Sequence, residues 1–338
     1  MQHDDARYTR FALAREMMDT ASIVRSFDPG RPQPLAAGVA RRGRLFLTGE
    51  GSSRIFPAKN AIRLAMQAGL ACALHTDGAR QAAEYDLSSY AVVLASNSGR
   101  TSEVVALARA LERAGNPDRY ALTANASTVL ESLCARTFVL SCGPEAAVAA
   151  TKSVVEQALF CESLVRDLAG MPWKSSMREL ADAMAAALSL GIDPSIVRAA
   201  ADASTVYFAG YNDGVAEELT LKTNEITRKK ADFLEGTYAV HGVEEVMDAR
   251  DVVIVVDPIA ADVDKFHEVL VGGVGLTVIA IADRDTPFPT IRIPSLPDGG
   301  PYIQLAAGWN LLVEVGLKLG IDLDAPERAR KVGNEIVG

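Results

Sequence analysis

The chain has 338 residues, 49% of them hydrophobic and 6% aromatic, and a formal net charge of −9. That is too much polypeptide for one compact core and enough for two domains of ordinary size. The acidic balance argues against a nucleic-acid binder, charged residues interrupt every apolar run before membrane-spanning length, and the polar start MQHDDARYTR has no apolar signal core, so a cytoplasmic protein is expected.

In chain order, residues 1–40 are expected to form an N-terminal helical segment. Leu45–Thr48 reads as a strand, followed by the small polar turn Gly49, Glu50, Gly51, Ser52, Ser53 and a helix over about Ala58–Ala71. Ala91–Ala95 is a second apolar strand. It runs into Ser96, Asn97, Ser98, Gly99, Arg100, Thr101 and then an amphipathic helix with Val104, Val105, Leu107, Ala108 and Leu111 on its apolar side. Arg119–Thr123 and Thr137–Ser141 read as further strands, and a long helix follows over about Ala147–Asp167. Met171–Ser176 breaks the pattern and a connector is expected at 173–195, with helix over about Arg178–Leu190. Strand–helix alternation then resumes: Thr205–Ala209, Val215–Thr227, Val252–Val256, Ala261–Val271, Leu276–Ala280 and a closing helix at Tyr302–Leu319. Such an order predicts α/β domains, each a parallel sheet sandwiched by helices in a flavodoxin-like three-layer arrangement. The expected limits are 41–172 for the first domain and 196–338 for the second.

The halves superpose in sequence. Gly49, ending LFLTG, pairs with Gly210, ending VYFAG, and Val92 pairs with Val252, at offsets of 161 and 160 residues. So steady an offset implies an internal duplication. The copies differ where a ligand would sit: the first keeps the hydroxyl-rich Ser96 turn, whereas the second has Asp257, Pro258, Ile259 and Ala260, which would cradle a phosphate poorly.

Four stretches could carry chemistry. The Ser96–Thr101 turn aims backbone N–H groups and hydroxyls at the positive end of a helix, which suits a small phosphate; it also suits a serine-capped helix with no ligand. The turn lacks the Lys-Ser/Thr of a nucleotide P-loop and the spaced glycines of a dinucleotide fold. Glu225 and Lys222 share a helix face, either as a reactive pair or as a solvated charged face. His241 lies beside Gly242 in a loop, where a general acid–base role and a structural role are equally open. Lys331 lies in a basic C-terminal stretch that is ordinarily just solvated. The cysteines, Cys72, Cys134, Cys142 and Cys161, form no CxxC pair and have no histidine at metal spacing, so free thiols in a reducing compartment are expected. No metal or redox cofactor is implied.

Taken together, these residues resemble the double SIS (sugar isomerase) family: the isomerase half of glucosamine–fructose-6-phosphate aminotransferase and stand-alone ketosamine-phosphate deaminases, deglycases and isomerases. The resemblance runs from about Leu45 to Val337. The family's first phosphosugar loop matches Gly51, Ser52 and Ser53. Its S-x-S-G-x-T motif matches Ser96, Ser98, Gly99 and Thr101, with Asn97 where glutamine is common. K-x-x-E-I-[ST] matches Lys222, Glu225, Ile226 and Thr227. The H-G loop matches His241 and Gly242, sixteen residues after Glu225, and the near-terminal lysine matches Lys331 with Pro326 before it. Departures are Ala150 where serine often precedes Thr151 and Lys152, Val243 where proline often follows the H-G pair, and Arg100 where glutamate is common in the phosphate turn.

The resemblance implies two tandem SIS-type domains and a phosphorylated sugar or amino-sugar substrate held through Gly51, Ser52, Ser53, Ser96, Asn97, Ser98, Thr101 and Ala150. It implies catalysis by Glu225, His241, Lys222 and Lys331, and a homodimer in which His241 reaches the partner's site. The chain opens Met1, Gln2, His3, with no N-terminal cysteine nucleophile, so glutaminase activity is not expected. The rival expectation is a non-catalytic phosphosugar sensor, which would need the phosphate turn but not Glu225, His241 and Lys331 together. A nucleotide-binding α/β protein is a third reading, and it predicts binding of ATP or NAD.

Overall fold

The computed structural model describes residues 1–328 and Glu335. The chain groups into two compact units, one built on Ser22–Ala146 with Ala150–Lys174, the other on Met1–Ala21, Ala147–Ala149 and residues 175–328. We call them the N-terminal and C-terminal units.

The N-terminal unit contains a five-stranded sheet: β1 (Arg44–Gly49), β2 (Ala73–Gly78), β3 (Ala91–Ala95), β4 (Arg119–Thr123) and β5 (Arg136–Val139), in the order β2-β1-β3-β4-β5. Every pairing is parallel. The C-terminal unit repeats this with β6 (Thr205–Gly210), β7 (Lys230–Glu235), β8 (Val252–Val256), β9 (Thr277–Ala282) and β10 (Thr290–Arg292), in the order β10-β9-β8-β6-β7, again all parallel. Read from its own second strand, each sheet has the flavodoxin-like order 2-1-3-4-5.

The reason lies in the strands. β3 and β8, AVVLA and VVIVV, are buried along their whole length, as a central strand covered on both faces must be. The duplication extends to backbone contacts. A Cβ on Gly49 would lie 2.8 Å from the carbonyl oxygen of Ala95, and one on Gly210 would lie 2.8 Å from that of Val256. In both copies the first strand ends by passing too close to the central strand for any side chain, which forces the turn beyond it to leave the sheet there.

Two strands, β7 and β10, were not anticipated, and of β2 only the run before His75 reads as strand-like, because ALHTDG and KADFLE mix charged with apolar residues along half-exposed backbone and β10 is only three residues long. The predicted helix at Ala261–Val271 is a single α-helical turn, Val263–Phe266, that widens into a π-helical stretch, His267–Val274. The long helix starts later than predicted, at Lys152, and runs to Ala169.

The first 40 residues contain the helices Ala6–Thr9 and Ala12–Ser26 and most of Gln33–Arg42, and Met1–Ala21 groups with the C-terminal unit. The carboxylate of Asp324 accepts the backbone N–H groups of Ala12 at 2.6 Å and Leu13 at 2.9 Å, capping the helix that starts there. Glu314 accepts from Arg7 at 2.7 Å and from the Tyr8 hydroxyl at 2.5 Å. No helix among the described residues is long and apolar enough to cross a membrane, and the four cysteines are free thiols.

Candidate active site

In the N-terminal unit the two polar turns leave the carboxyl ends of adjacent strands, β1 and β3, the edge where open α/β sheets bind ligands. Gly51–Ser53 forms one turn of 3-10 helix, entered with Gly51 at φ +53° and followed by the Ile55–Gln67 helix. Ser52 is buried and Ser53 half-buried.

The Ser96 turn is held from several sides. Its two end hydroxyls, Ser96 Oγ and Thr101 Oγ1, lie 2.7 Å apart in a mutual hydrogen bond. Ser98 Oγ accepts the Arg100 N–H at 3.2 Å, and Gly99 donates its N–H to the Ser96 carbonyl at 3.1 Å. Gly99 sits at φ +64°, and a Cβ there would lie 2.5 Å from both Cβ and Oγ1 of Thr128. Only glycine satisfies both the conformation and the space. Thr101 then opens the Ser102–Arg113 helix without itself capping it, so the first N–H groups of that helix are not taken by the Thr101 side chain. Arg100 is exposed, and its guanidinium has no partner among the described residues.

Asn97 plays a different part from its neighbours. Its amide donates to Glu145 at 2.6 Å and to Ser153 at 2.9 Å, and its carbonyl accepts from the Ala124 N–H and the Asn125 amide. Glu145 is the anchor that the sequence did not reveal. Its buried carboxylate accepts the Thr151 N–H at 2.8 Å and hydroxyl at 3.2 Å, and the Ser153 hydroxyl at 2.6 Å. One carboxylate thereby ties the Ser96 turn to the start of the Lys152–Ala169 helix, immediately after Ala150. A lone glutamate in GPEAAVAAT carries no periodic or motif signal, so nothing local distinguished it.

The equivalent place in the C-terminal unit is filled. Pro258, Ile259, Phe266 and Phe288 close around the ends of β6 and β8, leaving a void of about 10 Å³, room for one water at most. Asp257, at φ +48°, pairs with Arg284 at 2.7 Å, and Arg284 also donates to the Pro258 carbonyl. This fits the sequence expectation that the second turn lost its anion cradle.

Instead, the C-terminal unit presents a charged helix. On Val215–Thr227, Glu218, Lys222 and Glu225 follow one another at spacings of four and three residues, on one face. Lys222 is fully buried, with Nζ 2.7 Å from Glu225 Oε2 and 3.3 Å from Glu218 Oε1. Burial alone would lower the ammonium's pKa; the carboxylates of Glu218 and Glu225 outweigh it and hold the pKa above the usual lysine range. Glu218 is fully buried, whereas the Glu225 side chain keeps 28% of its surface exposed. Glu225 is thus the outer end of a buried ion triad and opens into a cavity of about 570 Å³. In this geometry the Lys222 ammonium lies between the two carboxylates.

His241 follows a short 3-10 turn, Tyr238–Val240, and is exposed, as is Gly242 at φ +103°. Its ring makes no hydrogen bond among the described residues. Tyr238 and Val246, on the same loop, are 60% and 75% exposed. Lys331 lies outside the described residues, although Glu335 bridges to Thr101 at the edge of the phosphate turn.

Residues 39–166 match the SIS domain family. A search of curated protein sequences found no match. Among solved structures, the chain is similar to tagatose-6-phosphate ketose/aldose isomerase from Escherichia coli, with a TM-score of 0.79 and 19% identity over 96% of this chain and 99% of that one. It is similar to the C-terminal domain of glucosamine-fructose-6-phosphate aminotransferase from Francisella tularensis, with a TM-score of 0.77 and 17% identity over 94% and 98% of the two chains. Glucosamine-6-phosphate deaminase from Thermotoga maritima gives a TM-score of 0.72 and 17% identity over 95% and 98%. At these identities the likeness is one of fold: residues 39–166 match the SIS domain family, and the whole chain shares the fold of these structures, consistent with two tandem SIS-type domains.

Proposed function

We propose that this SIS-domain chain is a phosphosugar aldose–ketose isomerase, or a closely related ketosamine-phosphate deaminase or deglycase, acting on a hexose 6-phosphate type of substrate. The observation that carries the reading is Glu225: a carboxylate held at one oxygen by a buried ammonium 2.7 Å away, with its remaining surface open to a cavity. A group that takes a proton from one carbon and returns it to the next must be fixed in place and able to act as both base and acid, and a positioned carboxylate does both.

In this reading the phosphate is held by Ser53, Ser96, Ser98 and Thr101 and by the N–H groups that open the helix after them. Gly51, Ser52 and the backbone at Ala150 shape the surroundings, and Asn97 fixes the turn through Glu145. Glu225 removes a proton at C1 or C2, giving an enediol or enolamine, and delivers it to the neighbouring carbon. Lys222 acts through Glu225, setting its position and charge. Lys331, matched to the near-terminal lysine of the SIS relatives, polarises the oxygen or nitrogen at the reacting carbons. His241 assists ring opening from a second copy in a homodimer; its exposed ring and the exposed Tyr238 and Val246 beside it support that role.

Glu225→Gln tests the proposal. Removing the base while keeping the shape should leave phosphosugar binding within a few-fold and lower kcat by roughly a thousandfold or more. A wild-type protein that binds phosphosugars and turns over none in a broad panel, followed by mass spectrometry, would instead identify a sensor.

A further inference from the structure

The cavity outside Glu225 has a composition that proton transfer does not require. It is lined by four basic side chains, Arg228, Lys229, Lys230 and Arg328, against two carboxylates, Glu225 and Glu327. This local excess of positive charge stands in a chain whose formal net charge is −9. Lys222 is shared between Glu225 and the buried Glu218, so the four cations still outnumber the negative charge left on the triad and on Glu327. Arg228 donates to the carbonyls of Asp322 at 3.1 Å and Ala325 at 2.6 Å, and a carbonyl orients a cation without cancelling its charge. Lys229 donates to the Ala201 carbonyl at 2.8 Å and is within Coulombic reach of Asp202, so it is left out of the site. Among the described residues Arg228 pairs with Glu327, 3.6 Å away with 72% of its side chain exposed, so their attraction is weak. Lys230 and Arg328 have no partner among the described residues. Arg228 moreover holds φ +55° at the end of the Glu225 helix, an uncommon conformation for a side chain of its size.

The position of these cations selects what they can bind. On a hexose 6-phosphate the phosphate is at C6, the end of the carbon chain opposite C1 and C2. Charges gathered around the carboxylate that works on C1 and C2 therefore face whatever is attached at the reacting end. We propose that Arg228, Lys230 and Arg328 bind a second anionic group, a carboxylate carried on the nitrogen of a phosphorylated ketosamine, so that the substrate is a sugar phosphate condensed with an amino acid. This rests on the proposed function, because that reading places C1 and C2 at Glu225.

The test compares two ligands that differ by one charge: 6-phosphofructosyl-glycine and its glycinamide. Titration calorimetry gives affinity and an amine-release assay gives turnover. Wild type should prefer the acid by roughly tenfold or more in both, as expected for charge-assisted hydrogen bonds to an unneutralised cation pair. In Lys230→Gln/Arg328→Gln, both positions being exposed, that preference should fall towards one. Equal binding and turnover of acid and amide by wild type would overturn the second-anion site and leave the proposed function standing. A preference for the acid that survives the double substitution would also overturn it. Preferential binding of the acid with no amine release from either ligand would support the site and refute the deglycase branch of the proposed function. Failure to bind either ligand would overturn the second-anion site, and Glu225→Gln on hexose 6-phosphates decides the proposed function separately.

Discussion

Replacing Lys222 with methionine is the sharpest perturbation of the C-terminal unit. Lys222 is fully buried, and so is Glu218, whose carboxylate is 3.3 Å from the ammonium. Methionine fills the same volume and removes the charge, leaving two carboxylates facing one another across an apolar side chain. Breaking a buried ion pair from one side costs about 3–5 kcal/mol. Most of that cost belongs to Glu218, because Glu225 retains solvent contact and its share is screened. The sign of the pH dependence follows. In the variant, burial and the like charge of Glu225 raise the folded-state pKa of Glu218 above its unfolded value of about 4.3. The deficit against wild type is therefore small near pH 4 and grows as pH rises. In wild type, the raised pKa of Lys222 contributes stability that is complete below the unfolded value of about 10.4 and is lost as pH climbs through the folded one. Trp309 is fully buried in the C-terminal unit, and a Trp173→Phe background leaves it as the only tryptophan. Its fluorescence during urea unfolding should show the deficit at pH 8 and much less at pH 4.5. Adding Glu218→Gln to Lys222→Met should recover part of it. A deficit below about 1 kcal/mol at pH 8, or the same deficit at both pH values, would refute the triad argument.

The phosphate turn and the oligomer give two further tests. Gly99→Ala should destabilise the N-terminal unit by about 2–4 kcal/mol and raise KM for a phosphosugar more than it lowers kcat, since both the positive φ and the 2.5 Å approach to Thr128 oppose a methyl group. Unchanged unfolding midpoint and KM would mean that the turn is not held as described. If His241 serves a second copy's site, mixing Glu225→Gln with His241→Ala should restore up to about a quarter of wild-type activity, because half of randomly formed dimers are mixed and each has one intact site. No recovery above the separate variants, with subunit exchange shown by mass spectrometry, would place the histidine in its own chain's site.

How much of this was legible in the sequence depended on where the information resides. β3 and β8 were evident because burial on both faces leaves an unbroken apolar run. The Ser96 turn was evident because its hydroxyls and glycine are consecutive. β7 was not, and β2 only in the run before His75, since a strand at the flank of a sheet, half-exposed and carrying charge, reads like a loop until its neighbour is known. The duplication offered a route to them: the second strand of one copy should have had a counterpart in the other. Glu145 was invisible because its role is set entirely by partners brought to it by the fold. Lys222 and Glu225 were placed on one helix face, but the full burial of Lys222 was not legible, because spacing along a helix reports which face a residue is on and not how deeply that face is buried. The basic cluster at Arg228 and Lys230 carries no motif signal, since a run of cations after a helix reads as solvated surface.

The return of the first 21 residues to the C-terminal unit has a consequence for how the chain is made. Asp324 caps a helix whose first turn, at Ala12 and Leu13, leaves the ribosome more than three hundred residues earlier. Ser22–Ala146 and Ala150–Lys174 emerge in between and can assemble a complete sheet while that first segment still lacks its partners. The N-terminal segment must therefore stay unattached through most of synthesis.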